Sequence, residues 1–242
     1  WMPEKQEARI LFEAFDEALL PILVPNETYA GGDMTIVQIG TNGIVIKVAD
    51  GRAIVIDGGA AGNEDLIYNA LSKLNVKRNE QDEYIIAAWM FTYASENYTG
   101  VVEAFSNKYR EKTEVQYIIY NANNETLSQN CYVAYPNAVQ LIAKAGIRYF
   151  FGGATVDMLY TPDYVWAGEG DYNDTGLVSI FTGAGLPLLF KRNTSEEVWA
   201  LVENSYLDYE LIYNELSADD VAILFTNGQS FNLTSMTLVE WL

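Results

Sequence analysis

The sequence predicts an α/β domain organised as a four-layer αββα sandwich of two mixed sheets, and three observations predict it. Apolar runs of strand length, bounded by Gly, Asn and Asp, recur along the chain. Antiparallel-type strand pairs open each half, and strand–helix alternation follows. That order favours two packed sheets with helices outside over one doubly wound parallel sheet. The halves also echo each other: Trp89-Met90-Phe91-Thr92 and Ile223-Leu224-Phe225-Thr226 each carry an apolar strand into a polar loop. One domain is expected over 1–242, with a helical extension at 1–32, a first half at 33–150 and a second at 151–242.

Residues 4–20 read as an amphipathic helix, because Ile10, Leu11, Phe15, Leu19 and Leu20 share one face; Pro21 and Pro25 end it. Strands are expected at 34–40 and 43–48, joined through Thr41-Asn42, then at 53–57 after the Asp50-Gly51 turn. Gly58-Gly59 closes that strand, and Leu66, Ile67, Ala70, Leu71 and Leu74 mark a helix over 63–75. A strand at 84–91 leads into the loop 92–100, a helix at 101–109 and a strand at 115–120. An Asn-rich polar loop and a helix over 134–145 come next. Strands at 147–151, 156–160, 177–182 and 186–190 precede helices near 195–204 and 208–216, and a last strand at 221–225. The chain stops soon after that, so a terminal strand or helix is expected to be missing.

With 33 acidic and 14 basic residues, the chain carries a formal charge of −19. Nucleic-acid affinity comes mainly from Lys and Arg displacing phosphate counterions, so nucleic acid is disfavoured as a partner, and so are anionic membranes. No apolar run is long enough to span a bilayer. Cys131 is the one cysteine, which excludes an internal disulfide and a Cys-rich zinc site. A bacterial cytoplasmic and an extracytoplasmic location both fit, and the first residue, Trp1, points to a segment removed ahead of it. The chain contains no histidine. The usual general base near neutral pH and the commonest metal ligand are therefore both missing.

Five segments stand in a telling order: VQIGTNGIVIKVADGRAIVIDGG, FTYASENYTG, NDTG, LLFKRN and DVAILFTNG. Over about residues 33–235 this order resembles the metallo-β-lactamase-fold hydrolases, nearer to bacterial competence-type and unassigned hydrolase branches than to antibiotic-degrading enzymes. The family carries a T-H-x-H-x-D-H motif. Thr92 and Gly100 match its edges here, while its ligand positions fall on Tyr93, Ser95, Asn97 and Tyr98. The family's later Gly-Asp element corresponds to Arg192-Asn193, and its final His-His-Gly element to Thr226-Asn227-Gly228. The resemblance thus implies the fold together with a dinuclear metal site whose ligands are replaced. Ser, Asn and neutral Tyr are poor ligands for zinc, and Asn keeps the shape of Asp without a charge that would be costly to bury unpaired.

Several residues admit two readings. Asp57 is either a relic beside the old site or a cap over the Gly58-Gly59 turn. Tyr93, Ser95, Asn97, Tyr98, Asn193 and Asn227 either line a pocket or form a polar filling in place of metal bonds, with Glu96, Lys191 and Thr226 beside them. Lys191-Arg192 either binds an anion or forms surface ion pairs. The loop 163–174 holds Asp163, Glu169, Asp171 and Asp174, a Ca²⁺ candidate without EF-hand spacing. Tyr160, Tyr164, Trp166 and Tyr172 offer rings for a sugar or peptide, or simply pack the loop.

The expectation from sequence is a catalytically inactive member of this fold, acting as a binding or interaction module for a small molecule or protein. No metal and no cofactor are expected. The alternatives are a metal-independent enzyme using Tyr93, Tyr98, Glu96 and Lys191 in a remodelled cleft, or a hydrolase relative of unknown substrate.

Overall fold

The computed structural model describes residues 34–40, 42–93, 96–121, 125–161, 176–183, 186–191, 197, 198, 200, 222–225 and 239–241. The helix expected at 4–20, the acidic loop 163–174 and nearly all of the segments at 195–204 and 208–216 lie outside them. Twelve strands fall within the described residues: β1 (Thr35–Ile39), β2 (Gly43–Lys47), β3 (Ala53–Asp57), β4 (Tyr84–Met90), β5 (Thr113–Tyr120), β6 (Val139–Ile142), β7 (Arg148–Phe151), β8 (Ala154–Tyr160), β9 (Val178–Gly183), β10 (Leu186–Lys191), β11 (Ala222–Phe225) and β12 (Val239–Trp241). Helices α1 (Glu64–Lys73), α2 (Glu96–Thr99), α3 (Val101–Tyr109) and α4 (Glu125–Ala134) accompany the first sheet.

The strands form a seven-stranded sheet in the order β12-β1-β2-β3-β4-β5-β6 and a five-stranded sheet in the order β11-β10-β9-β8-β7. Both are mixed. In the first, β1–β2 and β2–β3 are antiparallel while β3–β4, β4–β5, β5–β6 and β1–β12 are parallel. In the second, β10–β11 is parallel and the other pairs are antiparallel. Strand β12 pairs parallel with β1 at the edge of the first sheet.

Side-chain alternation along the strands explains the layering. Ile44, Ile46, Ile54 and Ile56 join Tyr149, Phe151, Met158, Phe181 and Phe190 in a core between the two sheets. Their neighbours Val45 and Val55 face the other way, into a second core with Ile67, Leu71, Val101, Phe105 and Cys131 from the helices. Three of the four expected layers are therefore present among the described residues; the helices expected near 195–204 and 208–216 lie almost entirely outside them. A bulge in β4 alters the alternation: Ala53 pairs with Ile86 but Ile54 pairs with Ala88. Ala87 and Ala88 consequently both face the inter-sheet core, and Trp89 turns under the helices.

Helix α1 shows how local sequence fixes an element. Glu64 and Asp65 sit in its first turn and Lys73 in its last, matching the helix dipole, while Ile67, Ala70 and Leu71 bury one face. Asn75 ends it in the left-handed region at φ 49. Its N–H donates to Ser72 O at 3.0 Å and that of Val76 to Leu71 O at 3.0 Å, the bonding of a Schellman motif.

One segment departs from expectation. The Asn-rich loop after β5 becomes α4 from Glu125 onward, and the helix expected over 134–145 is instead strand β6 at Val139–Ile142. Leu127, Cys131, Ala134 and Tyr135 recur at helical spacing and are buried, and Pro136 follows them. The apolar run Val139-Gln140-Leu141-Ile142 is too short, and too rich in β-branched residues, to continue a helix past that proline.

Burial in the helix-side core pushes the Cys131 thiol up to about 12. Burial likewise raises the phenols of Tyr135 and Tyr149 well above their ordinary value. Each group keeps its proton in the native state at a pH where the unfolded chain loses it. Their contribution is therefore fully present below the unfolded pKa and is lost as pH rises through the interval up to the native one. Unfolding free energy from urea titrations should fall from about pH 9 upward, by up to about 1.4 kcal/mol per pH unit for each such group. Cys131→Ala should remove the earliest part of that decline. A flat profile between about pH 9 and 11 would contradict the burial of these groups.

Candidate functional site at the strand ends

Because β1, β3, β4, β5 and β6 run the same way, their C-terminal ends gather at one end of the first sheet. The second sheet meets that end through Leu177, whose N–H donates to Thr92 O at 2.8 Å just before β9. Val178 then pairs with Lys191, and Lys191 with Phe225. The ends of β3, β4, β10 and β11 therefore lie at the same end of the sandwich. This is where open sheet proteins place their sites, since loops leaving parallel strands converge there.

Asp57 and Thr92 form the centre of this end. Asp57 is fully buried and Thr92 nearly so. The Thr92 N–H donates to Asp57 Oδ1 at 2.7 Å and its hydroxyl to Oδ2 at 2.6 Å. The Trp89 indole N–H adds a third bond, to the Asp57 carbonyl at 2.6 Å. Asp57 thus ties the ends of β3 and β4 together. Its own backbone lies in the left-handed region at φ 55. Asp tolerates that conformation better than most side chains do.

The Gly58-Gly59 turn is held against the start of α3. Gly59 N–H donates to Tyr98 O at 3.2 Å, and Val101 N–H to Gly59 O at 3.1 Å. A Cβ on Gly58, whose φ is 155, would stand 2.6 Å from Val101 Cγ1, so only glycine fits. The Asn63 amide donates to Gly58 O at 3.2 Å, and the Asn42 amide to Asn97 O at 3.1 Å. These two asparagines were not singled out from the sequence. Their positions in the β2 hairpin turn and just before α1 gave only a turn or cap signal.

The structure places the sequence candidates as follows. Tyr93 and Tyr98 come together, half-buried, with ring centroids 5.2 Å apart and planes at 85°, an edge-to-face contact. Glu96 and Asn97 are exposed on α2. The backbone of Lys191 ends β10, while its side chain, Ser95, Asn193, Thr226 and Asn227 lie outside the described residues.

The described residues do not fit a dinuclear metal. Two of the positions at which the resemblance would place histidine hold tyrosines in ring-to-ring contact. Asp57, the buried carboxyl group at this end, already receives two bonds from Thr92. No group of three His, Cys, Asp or Glu side chains suited to an ion occurs among the described residues. No helix among them is long and apolar enough to cross a membrane.

No family model matches the sequence, and no curated protein matches it. Among solved structures, the chain is similar to the metallo-beta-lactamase fold protein YhfI from Bacillus subtilis, at 13% identity and a TM-score of 0.46, over 65% of this chain and 61% of that one. It thus spans less than two thirds of that protein's length. It is similar to a HARLDQ-motif mutant of a metallo-beta-lactamase from Cronobacter sakazakii, at 15% identity and a TM-score of 0.47, over 81% and 75% of the two chains. It is also similar to a beta-lactamase from Chitinophaga pinensis, at 16% identity and a TM-score of 0.40, over 70% and 66%.

If Asp57 joins β3 to β4 as described, Thr92→Val should lower the unfolding free energy by about 1.5–3 kcal/mol, the usual range for hydrogen bonds to charged groups. Asp57→Asn should cost less, because the retained carbonyl oxygen still accepts the Thr92 main-chain N–H. Urea denaturation of both variants checks this. An unchanged midpoint for Thr92→Val would show that the bond contributes nothing.

Proposed function

We propose that this chain is a metal-independent protein of the metallo-β-lactamase fold that binds a small molecule or protein through its strand-end face rather than hydrolysing a substrate there. The observation that carries this reading is the edge-to-face contact of Tyr93 and Tyr98, at two positions where the resembled family has metal-binding histidines. Neutral phenols are poor zinc ligands, and packing them against each other occupies space that a metal centre needs. The absence of histidine from the whole chain supports the same conclusion, because Asn, Ser and neutral Tyr are poor substitutes for imidazole as zinc ligand or as general base near neutral pH.

The latched turn gives the face a fixed shape without a metal. Asp57 with Thr92, Gly59 with Tyr98, and Asn42 with Asn97 hold the 92–100 loop at both ends. Preorganised backbone around half-buried aromatic rings suits recognition, because little ordering entropy remains to be lost on binding. The ends of β10 at Lys191 and β11 at Phe225 border the proposed face from the second sheet, and Glu96 borders it from the loop.

Protein purified without a tag, and analysed by elemental mass spectrometry, should carry zinc and iron at well under about 0.1 atom per chain. Its melting temperature should not change with excess chelator. Near-stoichiometric metal, or turnover in a hydrolase screen that chelator abolishes, would overturn the reading. Chelator-resistant turnover lost in Tyr93→Phe would favour a metal-independent enzyme instead.

A further inference from the structure

Among the described residues, the large apolar side chains exposed to solvent are Tyr132, Val133, Val139 and Ile142, at 62%, 71%, 51% and 46%. All four come from α4 and β6. Strand β6 is the last strand of the seven-stranded sheet, and no further strand pairs with it among the described residues. Helix α4 lies beside it, since the Tyr120 hydroxyl meets Ser128 Oγ at 2.9 Å and Gln140 Oε1 at 2.8 Å. Tyr132 follows Ser128 by one helical turn. The amide Nε2 of Gln140, on the same strand, is buried without a hydrogen-bond partner. A strand at the edge of a sheet, unpaired on one side among the described residues and flanked by apolar side chains, is a template for another strand.

Charge indicates which strand that is. Edge strands are ordinarily protected by charged residues, and the opposite edge strand, β12, contains Glu240. From Thr126 to Ile147 the one charged residue is Lys144, in a chain whose net charge is −19. Two copies of so acidic a chain repel each other over most of their surfaces. They can approach closely where acidic residues are missing. A basic partner, by contrast, would gain nothing from a neutral patch. A strand edge is also self-complementary about a two-fold axis, because an antiparallel pair satisfies both strands with the same set of bonds.

We infer that β6 and the adjoining face of α4 form the interface of a homodimer, in which β6 pairs antiparallel with β6 of a second copy and joins the two seven-stranded sheets. Tyr132, Val139 and Ile142 are the side chains this pairing covers. The strand-end face that holds Tyr93 and Tyr98 plays no part in the pairing, so the interface stands apart from the function proposed above.

Sedimentation equilibrium on the full chain tests this. The wild-type protein should show twice its chain mass of 27.1 kDa. Its dissociation constant should fall at least about threefold as ionic strength rises from about 0.05 M to about 0.5 M, because salt screens the repulsion between acidic copies. Val139→Lys with Ile142→Lys should sediment at a single chain mass, with a melting temperature close to that of the dissociated wild type. If the lysines disturb folding, the milder pair Val139→Thr with Ile142→Thr should still weaken the dimer at least about tenfold, through lost apolar burial. A wild-type protein that stays at one chain mass at about 100 µM would overturn the inference, that being a concentration at which even a weak dimer forms. A dimer that survives the lysine pair, or one that salt weakens, would also overturn it.

Discussion

A single buried carboxyl group organises the end of the first sheet. Asp57 stands at the end of β3 with its backbone in the left-handed region, and both of its oxygens take hydrogen bonds from Thr92 at the end of β4. A buried polar group of this kind is tolerable only when its bonding capacity is used. The arrangement therefore requires β3 and β4 to stay in register at their ends. That register depends on the bulge at Ala87, which turns Trp89 to the helix side, where its indole N–H reaches the Asp57 carbonyl. The Gly58-Gly59 turn can then press against Val101, and the loop carrying Tyr93 and Tyr98 is placed by its two ends.

In the hydrolases that the sequence resembles, the corresponding loop is filled with metal ligands, and the cations themselves hold acidic and imidazole groups together. Here the turn and loop are held by main-chain bonds, by two asparagine amides and by packed aromatic rings. Such a site loses the ability to polarise water or a carbonyl through a Lewis acid. Neutral asparagine amides and half-buried tyrosine rings stand at this end of the sandwich.

Much of the fold was legible in the sequence. The strands from β1 to β5 and from β7 to β11 announce themselves by short apolar runs between turn residues, and α1 and α3 by apolar positions at helical spacing. The region 121–145 was misread for a physical reason. Asparagines at 121, 123 and 124 signal a loop, yet the buried set Leu127, Cys131, Ala134 and Tyr135 binds the following turns to the core as a helix. Tertiary burial outweighed local polarity there. Strand β12 gave no signal, because a three-residue strand pairing with β1 depends on a partner more than 190 residues away.

The candidate site was legible in part. The contact of Tyr93 with Tyr98 follows from their shared short loop, whereas the roles of Asn42 and Asn63 do not, because they bond to main-chain carbonyls brought close only by folding. Asp57 was visible as a special residue, but its partner Thr92 was not. Thirty-five residues separate the two, and only the parallel pairing of β3 with β4 joins them.

The central claim is that side chains and main chain, not cations, hold the strand-end face together. Crystals of the untagged protein soaked in excess zinc, with anomalous scattering recorded on either side of the zinc absorption edge, test it directly. The account requires no anomalous peak among Tyr93, Asn97 and Tyr98, with the two rings still in contact. A strong peak coordinated by those side chains, with the rings parted, would contradict it.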